Sequence, residues 1–325
     1  MNPVPILPYL FLAGGFVLLV KGADYLVRGG SELSTLVGVS PLFIGLAVAA
    51  LGTSAPEAAV SIKAALSGHS TISVGNILGS NVANFGLALG LAAAAHRLPC
   101  PPSTLFKEIP YSLLAALVLL LTGMNAFTGG SGISRLEGLL LLAMFGLYLY
   151  YLMAMASADR RAAFLDEDVM DPGGSKGEAA KATVMTVGGI AAVIFGGHLA
   201  VDNAVVIATR WGVSQTLVSV TIVALGTSLP EVVTTLTAVR KGEYDIALGN
   251  AVGSNIFNIL FVLGITAFIR PVHFAPAMTP DLLFIMGVTA LLFLFLLKRR
   301  KLQRWQGVVL VGFYAVYIAY VIARK

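Results

Sequence analysis

ALGTSAPE at residues 50–57 and ALGTSLPE at 224–231 decide how this chain is read. They lie 174 positions apart, and at the same offset GNILGSNVAN (75–84) returns as GNAVGSNIFN (249–258). Between 50–90 and 224–264, 18 of 41 positions are identical without a gap, too many for coincidence, so the chain carries an internal duplication. The repeated residues do not suit a plain apolar helix. Pro56 and Pro230 each remove an amide donor and press on the preceding turn. Gly52 and Gly226 loosen that same turn. Both segments are expected to break, leaving backbone groups that lipid cannot satisfy and that must face protein or a wet cavity.

Outward from these segments the chain is apolar. Of its 325 residues 57% are hydrophobic and 11% charged, and the mean hydropathy is +0.88. A soluble domain carries about 25% charged residues, so this is read as an integral membrane protein and not as a disordered, collagen-like or disulfide-stapled chain. Cys100 is alone and there are four histidines, which leaves no internal disulfide and no zinc cluster. The net charge of +5 is read as loop charge that sets orientation and gives no reason to expect nucleic acid. MNPVPILPYLFLAGG has no basic region before its apolar run, so it reads as a first helix and not a signal peptide.

Ten spans of roughly 20 apolar residues are expected: 7–27, 41–66, 71–95, 104–123, 134–155, 183–209, 214–238, 245–269, 279–297 and 304–322. The long polar stretch 156–182 separates them into 1–155 and 183–325. Five spans per half is an odd number, so the second half enters the membrane from the opposite side. The expected fold is all-α, with ten transmembrane helices as two inverted five-helix repeats, the second and seventh broken, an architecture of secondary transporters. With the N-terminus on one side, that side holds six Lys and Arg and the other holds fifteen. The positive-inside rule then places 156–182 in the cytoplasm and both termini outside.

Glu57 and Glu231 follow the two prolines, near mid-membrane. A charge there costs about 2.5–3.5 kcal/mol on insertion scales and needs a partner. Spans 2, 3, 7 and 8 offer no midplane Lys or Arg, so a bound cation, or protons, is the simplest partner. Oxygen surrounds the pair: hydroxyls of Thr53, Ser54, Thr227 and Ser228, and carbonyls at Ala50, Thr53, Ala224 and Thr227. Ser80 and Asn84 share one helix face, as do Ser254 and Asn258. Asn81 and Asn255 sit one step off that face, placed to bond the helix breaks. An all-oxygen set without Cys or His suits a hard cation such as calcium.

The four motifs resemble the two alpha-repeats of the cation/calcium exchanger superfamily, the sodium/calcium exchangers and their prokaryotic relatives. The resemblance spans the whole chain. It implies a secondary antiporter that exchanges calcium for sodium by alternating access, with no cofactor and no enzymatic activity. It implies four cation positions between spans 2, 3, 7 and 8. Glu57 and Glu231 would ligate calcium, with carbonyls from Thr53 and Thr227. Ser54, Ser80, Ser228 and Ser254, with carbonyls of Ala50 and Ala224, would form flanking sodium sites, and spans 1 and 6 would slide across a rigid core. Some members carry aspartate where this chain has Asn258, matching Asn84. Two carboxylates instead of three argue against potassium cotransport and keep a calcium/proton antiporter as the alternative. A passive channel fits the inverted repeats less well. The partners implied are inorganic cations and the bilayer of a prokaryotic inner membrane. One chain carries both halves of the site, so a monomer would suffice.

Other polar residues read more plainly. His198 and Asp202, four apart, could share a face as a proton relay, but Asp202 is expected near a helix end, solvated or capping a turn, and Lys21 and Asp24 are read in the same plain way. Asp166, Glu167, Asp168 and Asp171 lack EF-hand spacing and read as a solvated linker. Asp245 is expected as a helix N-cap. Tyr148, Tyr150, Tyr151, Trp211 and Trp305 are expected as interfacial anchors.

Overall fold

The computed structural model describes residues 6–68, 70–123, 132–165, 175–213, 224–274 and 278–324. Helices α1 (Ile6–Val37), α2 (Pro41–Thr53), α3 (Ala55–Leu66), α4 (Ile72–Ala95), α5 (Thr104–Gly123) and α6 (Arg135–Leu165) precede the polar stretch. Helices α7 (Lys176–Arg210), α8 (Ala224–Gly226), α9 (Leu229–Arg240), α10 (Tyr244–Ile269), α11 (Thr279–Leu297) and α12 (Arg304–Ala323) follow it. Among the described residues, eight helices are long and apolar enough to cross a membrane, and α2 with α3, bent by 45°, make a ninth. The remaining expected span, 214–238, begins outside the described residues and continues as α8 and α9. The protein is an all-α membrane protein. Its described strands are two-residue pieces: β1 (Leu98–Pro99), β2 (Gly132–Ile133), β3 (Val272–His273) and β4 (Lys301–Leu302).

Helix ends follow local chemistry more than hydropathy. α1 outruns its expected span to Val37 because nothing stops it before Gly38, which takes a left-handed φ of +71°. The Val39 amide then bonds back to the Ser34 carbonyl at 2.9 Å. Gly212, 174 residues on, ends α7 in the same way, with φ +83° and Val213 N–H on the Ala208 carbonyl at 3.1 Å. α6 continues to Leu165 through an Ala- and Arg-rich run of good helix formers. Ser175 caps α7, its hydroxyl accepting from the Glu178 amide at 3.2 Å while Glu178 Oε2 accepts from the Ser175 amide at 2.8 Å. Both helices thus reach into 156–182, and Asp166, Glu167, Asp168 and Asp171 lie outside the described residues. Asp245 sits inside the first turn of α10, with Glu243 at the cap position, so it is not the N-cap.

Two helices occupy the centre. In α4 and α10, 78% of the apolar window is buried, against 22% in α1 and α6. At the periphery α1 lies antiparallel against α7 on a seam of small residues. A methyl at Gly15 would sit 2.6 Å from Ala200 N, one at Gly22 2.7 Å from Val193 N, and one at Gly29 2.7 Å from Thr186 N. The spacing of seven keeps one glycine face on the partner along the whole contact.

The two halves interlock at both ends. β1 pairs antiparallel with β4 and β2 with β3, so each pair takes one strand from either side of the polar stretch. Leu98 faces Leu302, and Ile133 faces Val272. Beyond these pairs, Gly138 packs against the Gly264 carbonyl and Gly307 against that of Gly90, again corresponding positions. Tyr148 departs from its expected interfacial place: it is 3% exposed and stacks on Tyr111 at 5.7 Å. Tyr150, Trp211 and Trp305 are 60–69% exposed, as anchors should be.

Candidate functional site

Both duplicated segments break at the same serine. α2 ends at Thr53 and α3 starts at Ala55 with Ser54 between them; α9 starts at Leu229 directly after Ser228. Pro56 and Pro230 stand in the first turns of α3 and α9, where the missing amide would have had no helical partner anyway. The prolines therefore start new helices and do more than kink old ones. Glu57 and Glu231 fall in those same first turns, where the helix dipole favours negative charge.

Both carboxylates are fully buried. Ser54 Oγ donates to Glu231 Oε1 at 2.8 Å, across the two halves. Ser80 Oγ donates to Glu57 Oε1 at 3.3 Å. Glu57 Oε2 and Glu231 Oε2 have no hydrogen-bond partner among the described residues, nor does the buried Ser228 Oγ. Ser254 Oγ reaches the Ala50 carbonyl at 3.4 Å. Ala224 opens the short helix α8, and its side chain lies outside the described residues. Two buried acids, each with one uncompensated oxygen beside hydroxyls and carbonyls, form a donor set suited to a hard cation. The fit is to oxygen-seeking cations; no His or Cys stands among these donors.

The hydrogen bonds that hold the breaks come from Asn76 and Asn250. Thr227 Oγ1 donates to Asn76 Oδ1 at 3.2 Å, and Thr53 Oγ1 lies 3.1 Å from Asn250 Oδ1. Asn76 Nδ2 reaches Ser61 Oγ at 3.2 Å and the Glu57 carbonyl at 3.4 Å. Asn250 Nδ2 reaches Thr235 Oγ1 at 3.1 Å and the Glu231 carbonyl at 3.4 Å. Each asparagine thus sits under the carboxylate helix of its own half and holds a threonine from the break of the other. Sequence reading placed this role on Asn81 and Asn255. Those bond elsewhere: Asn81 Nδ2 to the Ile77 carbonyl at 2.7 Å, and Asn255 Nδ2 to the Asn81 carbonyl at 3.1 Å. The missed signal was a spacing of four, since 76, 80 and 84 share one face of α4, as 250, 254 and 258 do on α10.

Farther along that face, Asn84 Nδ2 donates to Asn255 Oδ1 at 3.0 Å. Asn258 is buried with neither side-chain polar atom partnered among the described residues. A π-helical stretch starts at Asn84 in α4 and another at Phe257 in α10. Such stretches widen a helix and often mark functional positions. His198 and Asp202 line a cavity of about 160 Å³ beside the breaks, together with Pro56, Thr227 and Pro230. His198 Nδ1 lies 2.9 Å from the Ile194 carbonyl of its own helix. Asp24 is held by Lys241 at 2.5 Å and Arg28 at 3.1 Å, and Ser31 Oγ donates to Glu243 at 2.6 Å, which fastens α1 to the turn between α9 and α10.

The chain is similar to known proteins along nearly its whole length. The family model described as sodium/calcium exchanger protein matches residues 7–154 and 181–323. The chain is 37% identical to the inner membrane protein YrbG of Escherichia coli (strain K12), over 94% of each chain. It is 33% identical to the sodium/calcium exchanger MaX1 of Methanosarcina acetivorans, over 95% of this chain and 97% of that one. A solved structure of the sodium-calcium exchanger NCX_Mj superposes with a TM-score of 0.84 at 30% identity, covering 97% of this chain and 98% of the other.

Proposed function

The chain belongs to the sodium/calcium exchanger protein family, a family of membrane antiporters and not of enzymes, and on that premise we propose that it exchanges calcium for sodium by alternating access. The observation that carries the reading is the pair of buried carboxylates, Glu57 and Glu231, each with one oxygen lacking a partner among the described residues, at the crossing of two helix breaks. Calcium would bind between them with the Thr53 and Thr227 carbonyls. Sodium would bind beside Ser54, Ser80, Ser228 and Ser254 with the Ala50 and Ala224 carbonyls. Asn84 and Asn258 flank that set, with Asn81 and Asn255 tying α4 to α10.

Exchange follows from charge. Moving two bare carboxylates past a lipid-facing wall is too costly, so the protein changes sides only when calcium or the replacing ions neutralise them. The two halves are read as inverted five-span repeats, 1–155 and 183–325, joined by a cytoplasmic 156–182 with both termini outside. The cross-paired strands, the helix-ending glycines at 38 and 212, and the matched Asn76 and Asn250 bonds all support that reading. α1 and α7, bound to each other along the glycine seam, are the body that slides.

Radiolabelled calcium uptake into proteoliposomes tests the reading. Vesicles loaded with sodium should take up calcium, and vesicles carrying only an outward proton gradient should not. Uptake driven by protons alone would overturn sodium coupling, remove the four serines from that role and make Glu57 and Glu231 proton carriers.

A further inference from the structure

His96 and Arg97 lead from the end of α4 into β1, and Arg304 opens α12 just after β4. The antiparallel register sets Leu98 against Leu302 and Pro99 against Lys301, and the Cys100 amide donates to the Arg300 carbonyl at 2.9 Å. Carried two residues the other way, that register stands His96 opposite Arg304. Tyr244, the first residue of α10, meets them from a third side. Together His96, Arg97, Tyr244 and Arg304 line a cavity of about 440 Å³.

No carboxylate lines this cavity. The ion pairs among the described residues engage Arg28, Lys241 and Arg324, and neither Arg97 nor Arg304. Glu243, next to Tyr244, accepts the Ser31 hydroxyl. Two exposed guanidiniums, an imidazole and a tyrosine thus border one space with no anion of the chain's own. The N-termini of α10 and α12 open at the same place, and their dipoles favour negative charge there.

The opposite end of the duplication shows how such a space is covered. Arg270 stands 174 residues from His96, and the β2–β3 register, carried two residues, sets it opposite Arg135 as His96 is opposite Arg304. There the Arg270 guanidinium packs on the turn after α3, 2.8 Å from where a methyl on Gly68 would lie. The corresponding Gly242 has the same φ of +82°, yet nothing lies within 4 Å of its methyl position. Pro271 also stands where this end has Arg97. The end at His96 is therefore the open one, and it carries the additional arginine.

We propose that this cavity binds the phosphate of an anionic phospholipid. A guanidinium pairs with phosphate oxygens through two parallel hydrogen bonds, and two guanidiniums bordering one space can grip a single headgroup. The volume is near fifteen times the ~30 Å³ share of one water, room for a phosphate ester with its glycerol. Trp305, beside Arg304, is exposed as an interfacial anchor, which sets the cavity at headgroup depth. Lys298, Arg299, Arg300 and Lys301 are exposed on the adjoining turn and strand and draw anionic lipid toward it. The choice of the cytoplasmic leaflet rests on the proposed orientation; the binding chemistry does not.

The test is native mass spectrometry of the delipidated full chain, titrated with phosphatidylglycerol or phosphatidylcholine, with inorganic phosphate as a third arm. Wild-type protein should retain phosphatidylglycerol about 25-fold better than phosphatidylcholine, a factor of about five for each guanidinium. Arg97→Gln with Arg304→Gln, both at exposed positions, should bring the ratio near one. Lys298→Gln with Arg299→Gln removes the same charge from the neighbouring turn, outside the cavity, and should leave most of the preference. Equal retention of both lipids by the wild type, an unchanged ratio in the cavity variant, or the same loss in both variants would overturn the proposal. Saturable stabilisation by inorganic phosphate without any lipid preference would overturn the lipid as carrier. Binding is read without transport, so the outcome stands apart from that of the calcium uptake assay.

Discussion

The glycine seam between α1 and α7 is tested most directly by comparing neighbours. Gly14 has nothing within 4 Å of where a methyl would lie, whereas at Gly15 the methyl would stand 2.6 Å from Ala200 N, 2.9 Å from Ala200 Cα and 2.9 Å from the Gly196 carbonyl. These are backbone atoms and cannot rotate away. Normal contact begins at about 3.5 Å, so Gly15→Ala must push the helices apart by about 0.9 Å at that level. Overpacking of this kind costs about 1–3 kcal/mol. Gly14→Ala, one residue away in the same helix, should cost nothing measurable. The pair Gly188→Ala and Gly189→Ala repeats the comparison from α7, since Gly188 is open and Gly189 faces the Gly22 carbonyl at 2.7 Å. Unfolding in detergent should be shifted for positions 15 and 189 and unshifted for 14 and 188. Calcium uptake by the destabilised pair should lose rate with little change in apparent calcium affinity, because the seam contributes no ligand. Equal stability across all four variants would refute the seam as a rigid contact.

Glu57→Gln and Glu231→Gln should each reduce calcium uptake in proteoliposomes to background, and wild-type rates from either would remove that glutamate from the site. Asn76→Ala removes the bond to the buried Ser61 hydroxyl and Asn250→Ala the one to the buried Thr235 hydroxyl, while Thr53 keeps its bond to the Ala49 carbonyl at 3.0 Å, and each should cost about 1–3 kcal/mol; a large cost at one with none at the other would contradict their matched bonding. Cys100 is 5% exposed, and burial, reinforced by the carboxylates of Glu108 and Asp245, pushes its thiol up to about 12. Thiolate is therefore negligible below pH 10, and the folded protein should resist maleimide until detergent unfolds it. Asp24→Asn removes a partly exposed pair with Lys241 worth about 0–1 kcal/mol; stability should hardly move, while a cysteine introduced at Ser31 should become more reactive as α1 loosens from the turn after α9.

What the sequence makes legible is the part governed by short-range chemistry. The offset of 174 is visible as letters, and Pro56 and Pro230 announce breaks that the helices then show at Ser54 and Ser228. The burial of Glu57 and Glu231 follows from apolar surroundings alone. Bonds between the halves are not legible in the same way. Asn76 and Asn81 are both amides in one motif, and only the crossing of α4 over the other half's break gives the threonine contact to Asn76. Tyr148 looked interfacial because hydropathy sees its neighbours in sequence and not the α5 face that covers it. The ends of α6 and α7 ran past their apolar stretches because helix propensity and a capping box act on polar residues as well as on apolar ones.

On the proposed reading the two halves must do opposite jobs with one architecture, and their differences then set the balance between access states. Identical inverted repeats would make inward- and outward-facing forms equal in energy. The asparagine bonds keep that equality: Asn76 and Asn250 make matched contacts at corresponding positions, Ser61 and Thr235, and Thr227 and Thr53. Other bonds break it, at the centre, where Ser54 reaches Glu231 and Ser228 has no partner among the described residues, and at the ends. Asp24 is paired with Lys241, whereas the positions 174 residues away from these hold His198 and Ser67, without a charge pair among the described residues. An exposed pair worth about 0–1 kcal/mol shifts two states by at most about fivefold. That is enough to choose a resting form, in which α1 is fastened and the cavity beside His198 and Asp202 stands on the α7 side. It is small enough for a bound cation to reverse, because neutralising two carboxylates at mid-membrane is worth several times more. The transported ion, and not the protein's own contacts, therefore decides when the helices move.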